Sequence, residues 1–310
     1  MTYESKRNAI PWKPLARASG VLALAIACTY GMLHVRRWRN EVFVDGGGLA
    51  FRVVEYVEYP DQFASGMKQN TVSVSKDGAV RRINLADAPR PTINRALAST
   101  SLIDLCARDC IFPLNMSVQC RLSCLASTSC HLTNSQLLQL THMGSLRDLG
   151  LVDEDKITAV GLSQIVNRNS LRSISINQLK SVVADDVAID LSAIAELRVV
   201  VLSGEFANDG FLAKLCSAGG MTSLSVFQSQ VTDSGVLDAM AKNASLNELV
   251  SDVPMSLKTA EKLLLCVDVK NVFLTRLNAS GTEARVLENR LKTAFPEARV
   301  IIHQNDDHKE

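Results

Sequence analysis

Aromatic side chains are scarce in this 310-residue chain, only 5% of it. Interfaces that grip a partner tightly draw on Trp, Tyr and Arg anchors, and this chain offers few of the first two. An excess of one charge is also missing. Thirty-three Lys and Arg stand against 32 Asp and Glu, a formal net charge of +1, which gives no global pull toward nucleic acid. Catalytic signatures are absent as well. None of His34, His131, His142, His303 and His308 has a motif-like nucleophile or carboxylate beside it. No Gly-x-Ser-x-Gly, Walker loop or His-Glu-x-x-His occurs. Gly46-Gly47-Gly48 is not followed by the helix that a phosphate loop requires and reads as a break. No enzyme activity, cofactor, resident metal or small-molecule substrate is implied.

One stretch lacks charge altogether. Residues 18–35 contain no Asp, Glu, Lys or Arg, and Arg36-Arg37-Trp38-Arg39 follows. About 18 apolar residues is the short end of what spans a bilayer, and flanking arginines with an interfacial tryptophan are the expected anchors. The reading is a basic cytoplasmic tail at 1–17 and a single transmembrane helix at 18–35. Ala25-Ile26-Ala27-Cys28 keeps a cleaved or lipidated signal open as an alternative. Basic residues flank the span on both sides, so the positive-inside count barely discriminates. The short first tail and long remainder favour an extracytoplasmic repeat domain.

What the chain has in abundance is periodicity. Leu122, Leu146, Leu171, Leu197, Met221, Leu246 and Val269 are spaced by 24, 25, 26, 24, 25 and 23 residues. Three positions on stand Leu125, Leu149, Ile174, Val200, Leu224, Leu249 and Val272, all apolar. Two further on are Ser127, Leu151, Ile176, Leu202, Val226, Ser251 and Leu274. Weaker copies begin at Val80 and Leu102. A fixed period of this size marks a stacked-repeat architecture. Three units add a second signature: His131-Leu-Thr-Asn-Ser-Gln-Leu-Leu, Lys156-Ile-Thr-Ala-Val-Gly-Leu and Gln230-Val-Thr-Asp-Ser-Gly-Val-Leu.

In these residues the chain resembles the leucine-rich repeat proteins, specifically the cysteine-containing kind and its bacterial membrane-anchored relatives. The resemblance covers roughly residues 80–302. It implies an α/β fold: a right-handed solenoid with a parallel concave sheet and convex helices, preceded here by one N-terminal transmembrane helix. Residues 36–79 then form a juxtamembrane linker and N-terminal cap, 80–303 the repeat domain and 304–310 a polar tail. Within the cap, Thr71-Val-Ser-Val-Ser75 and the run 79–85 flank Asp77-Gly78, the pattern of a hairpin. Thr133-Asn-Ser-Gln136 and Ser280-Gly-Thr-Glu283 have capping-box spacing, and Thr232 is a helix cap. The inward Asn/Cys position of the family reads Cys110 and Cys130, then Glu154, Leu179, Glu205, Ser229, Pro254 and Leu277. That departure predicts irregular loops near 152–156, 179–186 and 252–256.

Two clusters invite a functional reading. Cys106, Cys110, Cys120, Cys124 and Cys130 with His131 are crowded together, but their spacings match no common zinc module. Structural thiols, a disulfide or a metal remain open. Arg147, Arg172 and Arg198 occupy the second position of three consecutive units and should stack about 5 Å apart, with Asp148 and Asp153 near enough to neutralise them. Outward strand positions are small or polar, with Phe227 and Phe273 the main aromatics. The sequence thus predicts a non-catalytic protein-interaction or scaffold module. The alternatives are a zinc- or thiol-dependent protein using Cys106 to Cys130, or a substrate-selecting adaptor.

Overall fold

The structure, a computed structural model, describes residues 41–44, 50–55, 70–75, 79–142, 144–266 and 268–304. The anchor segment 18–35, the Gly46-Gly47-Gly48 break and the 304–310 tail (apart from Gln304) lie outside them. Among the described residues no helix is long and apolar enough to cross a membrane.

One 14-stranded, mostly parallel sheet runs the length of the molecule, its strands placed nearly in chain order. It opens with β1 (Glu41–Val44), β2 (Ala50–Glu55), β3 (Thr71–Val74) and β4 (Val80–Ala86). Only the pairs β1–β2 and β3–β4 are antiparallel. The second is the expected hairpin, closed by Ser75 N–H donating to Ala79 O at 2.9 Å. The strands that would seal the first repeat therefore belong to the sheet itself.

From β4 onward each neighbour is parallel. The strands are β5 (Asp104–Arg108), β6 (Cys124–Thr128), β7 (Asp148–Val152), β8 (Ser173–Asn177), β9 (Val199–Asn208), β10 (Ser223–Gln230), β11 (Glu248–Ser251), β12 (Met255–Ser256), β13 (Asn271–Asn278) and β14 (Arg299–Gln304). The register stacks Leu125, Leu149, Ile174, Val200, Leu224, Leu249 and Val272 as successive Cα partners. These are the residues that the periodicity aligns, and each is fully buried. A strand has period two, so fixing this row inward fixes its neighbours outward.

Seven helices lie among the described residues: α1 (Arg90–Leu97), α2 (Asn134–Leu140), α3 (Ala159–Val166), α4 (Asp209–Cys216), α5 (Asp233–Lys242), α6 (Leu257–Ala260) and α7 (Gly281–Ala294). Neighbours in this series pack on one another, α2 on α3, α4 on α5 and α5 on α6. They form a second layer, and one continuous apolar core lies between the layers. Thr133 with Gln136 and Ser280 with Glu283 form complete capping boxes, and Thr232 caps α5. Each cap satisfies an amide that a helix start leaves orphaned.

The Thr-x-x-Gly signature has a physical meaning here. Asn134, in the unit before, accepts Thr158 N–H at 3.0 Å and donates to Thr158 Oγ1 at 2.8 Å. Asp209 likewise accepts Thr232 N–H at 2.7 Å and the Thr232 hydroxyl at 2.6 Å. Gly161 and Gly235 leave the room: a Cβ on either would meet the clasping side chain at 2.0 Å. A second tie uses buried asparagines. Asn243 donates to Ala239 O at 2.8 Å and accepts Met221 N–H at 2.8 Å. Asn169 does the same between Ile165 O and Leu146 N–H.

Where strands end, a column of residues turns left-handed. Asp87, Asp109, Ser129, Asp153, Gln178 and Gln228 have φ between 43° and 53°. The first four donate their N–H to the last strand carbonyl of the next unit, as Asp109 does to Thr128 O at 2.9 Å, and Gln178 donates to Ser203 O within β9. The following position points inward; residues 153–158 are loop, as expected, but the side-chain to backbone bonds expected to be lost are kept. Glu154 is fully buried and its carboxylate accepts Ser127 Oγ at 2.6 Å, Cys130 N–H at 3.0 Å and Leu132 N–H at 2.8 Å. It does what an amide side chain would do. Glu205 departs from its expected place. Gly204, at φ +108°, redirects the chain, Glu205 is exposed, and Phe206 and Ala207 fill the interior. Irregularity does appear at 179–186, a turn with the 3-10 segment Ala184–Asp186, and at 252–256, where β12 is two residues long.

Candidate interaction surface

The backbone confirms the arginine column as a stack. Arg172 N–H donates to Arg147 O at 2.7 Å and Arg198 N–H to Arg172 O at 2.8 Å. The same ladder continues through Thr222, Asn247 and Lys270. These residues stand just ahead of their strands, so the stripe runs along the rim of the sheet rather than across its face. Their guanidinium groups differ. Arg147 Nη1 donates to Ser170 O at 2.8 Å and Arg198 Nη1 to Leu197 O at 3.0 Å. Arg172 meets Glu196 at 3.2 Å, an exposed pair worth roughly 0–1 kcal/mol. The expected partner Asp153 is taken elsewhere: it faces Lys180 at 3.4 Å and accepts Ser129 Oγ at 3.3 Å.

The face away from the helices has two halves of different character. Toward β4 it is polar and largely closed. Arg82 and Asp104 form a two-pronged pair at 3.0 and 2.7 Å, continued in register by Cys124 and Asp148. All but Arg82 are buried, and Arg82 itself is only slightly exposed. Burial is the largest influence on Arg82 and works against its charge, yet Asp104 holds its pKa above the ordinary arginine value. Burial pushes the Cys124 thiol well up, with Cys106, Asp104 and Asp148 adding to it. The register puts Cys106 and Cys124 on this outward face, with Asp104 of β5 and Asp148 of β7 flanking Cys124. Among the described residues no three His, Cys, Asp or Glu side chains are placed to hold a metal ion.

Toward β14 the face opens. Val201, Ser225, Val250, Phe273 and Ile301 are successive register partners across β9, β10, β11, β13 and β14. All but Ser225 are half-buried. Phe273 also meets His303 edge to face, centroids 5.9 Å apart. Phe227 lies outward but is closed off at 7% exposure, so of the two expected aromatics only Phe273 offers surface. The apolar row escaped sequence reading because it is discontinuous in the chain: one residue per unit, visible only once register is known.

His131 and Asp155, in adjacent units, are joined at 2.8 Å. The bond to His131 pulls the Asp155 carboxyl below its usual range. Both side chains are exposed, and the pair clasps two loops. Burial raises the Cys120 thiol to about 11 and the Cys216 thiol to about 12, above the range of a reactive thiolate.

Comparison with protein-family models and with curated proteins finds no match to this chain.

Proposed function

We propose that this chain is a membrane-tethered leucine-rich repeat protein, a right-handed solenoid that serves as a non-catalytic interaction or scaffold module. The observation that carries the reading is the half-open row Val201, Val250, Phe273 and Ile301 across β9 to β14, which the basic rim of Arg147, Arg172 and Arg198, set ahead of β7, β8 and β9, meets at β9. An apolar strip with a run of cations at one end fits an extended protein segment that carries apolar side chains and an acidic end. Stacked-repeat proteins bind by shape along such faces. The charge-free run 18–35 supports the tether, which would leave the repeats on the extracytoplasmic side.

Two fractions test the tether. Full-length protein should stay in the membrane pellet through an alkaline wash, and a chain lacking residues 1–39 should be soluble. A truncated chain that still resists the wash would contradict a single anchor at 18–35.

A further inference from the structure

We infer that Cys110 and Cys130 are a disulfide-forming pair that staples two consecutive repeat units. Both thiols are buried and occupy the same inward position of adjacent units. Each follows a left-handed residue, Asp109 at φ 52° and Ser129 at φ 51°, so the two chains turn alike. Asp109 N–H donates to Thr128 O at 2.9 Å, and Cys110 N–H reaches Cys130 Sγ at 3.5 Å. Equivalent residues of neighbouring strands lie about 4.8 Å apart. That falls inside the window of about 4.4–6.8 Å between Cα atoms that a disulfide tolerates.

The rival pair fails the same test. Cys106 is in register with Ala126, and Cys124 with Asp104, so the two are offset by two residues as well as one strand. Combining about 4.8 Å across with two rises of about 3.3 Å puts their Cα atoms about 8 Å apart, too far without backbone movement. The next units offer no third partner, because the column continues as Glu154 and Leu179.

Oxidation also leaves nothing stranded. In the thiol state Cys110 Sγ donates to Arg108 O at 3.2 Å and Cys130 Sγ to Thr128 O at 3.4 Å. Those carbonyls already accept Asp87 N–H at 3.1 Å and Asp109 N–H at 2.9 Å, so both stay bonded when the S–H groups go. The two thiols influence each other: contact with Cys130 draws the Cys110 thiol below its usual value, and the same contact pushes Cys130 up. With a low-molecular-weight disulfide as oxidant, the Cys110 thiolate displaces one thiol in a mixed disulfide, and Cys130 displaces the second. One S–S bond forms in the protein, one breaks in the oxidant, and the two protons end on two released thiols.

Full-length protein is exposed to oxidised glutathione, both folded and during refolding from urea. Free thiols are then alkylated and the unreduced chain is cut with trypsin. Cleavage after Arg95, Arg108, Arg121 and Arg147 separates residues 96–108, 109–121 and 122–147. The expected product joins 109–121 to 122–147, with fragment ions placing the bridge at Cys110 and Cys130. It should disappear in both Cys110→Ala and Cys130→Ala, and persist when Cys106 and Cys124 are replaced by serine. A bridge between Cys106 and Cys124, a bridge to Cys120, or complete alkylation under both regimes would overturn it.

Discussion

The carboxylate of Asp209 occupies the space that a methyl group on Gly235 would need: an added Cβ would lie 2.0 Å from Asp209 Oδ1. In an ordinary helix Gly→Ala is stabilising by about 1 kcal/mol. Here Gly235→Ala should be destabilising, by about 1–3 kcal/mol, because the side chain that clasps Thr232 must leave its N–H and hydroxyl. Urea denaturation of Gly235→Ala, Asp209→Ala and the double mutant checks this. The double mutant should lose less than the sum of the two, since the clash has no partner once Asp209 is gone.

Glu154 gives a prediction about the interior. Glu154→Leu leaves Cys130 and Leu132 with buried, unpaired N–H groups, each costing about 1–3 kcal/mol. The expected loss is about 2–5 kcal/mol in the denaturation midpoint converted with an unchanged slope. A loss below about 0.5 kcal/mol would mean the loop finds other acceptors and the carboxylate holds nothing.

Register itself is testable with two neighbouring residues. Leu149 has no solvent exposure, whereas Arg147 is half-buried at the rim. Leu149→Asp should cost about 3–5 kcal/mol as an uncompensated buried charge, and Arg147→Asp about 0.5 kcal/mol or less. Equal losses would refute the burial of the Leu149 row and the place of Arg147 on the rim.

How much of this could be read from the chain follows from what repeats and what does not. The position of Leu149 was legible because seven units vote for it, and hydrophobic burial needs only an apolar side chain. The caps at Thr133, Thr232 and Ser280 were legible because a hydroxyl three residues ahead of its target amide is a local pattern. Glu154 was misread because a carboxylate can copy an amide acceptor when three donors converge on it, and those donors lie more than twenty residues away. Glu205 was misplaced because one residue, Gly204, takes a backbone angle that breaks the count. The pairing of Arg172 with Glu196 and of Asp153 with Lys180 depends on loop paths between units, where no period constrains the sequence. The outward row ending in Phe273 and Ile301 needed the register of five strands at once.

The central claim is that the face away from the helices, and not the helical layer, meets the partner. Photo-crosslinking in intact membranes tests it most directly, with a benzophenone amino acid placed at Phe273, at Ser175, and at Leu138 on helix α2. Defined adducts should form from Phe273, weaken when Arg147, Arg172 and Arg198 are all changed to glutamine, and be absent from Leu138. Adducts that arise from Leu138 alone, or that ignore the three arginines and Phe273 alike, would contradict the account.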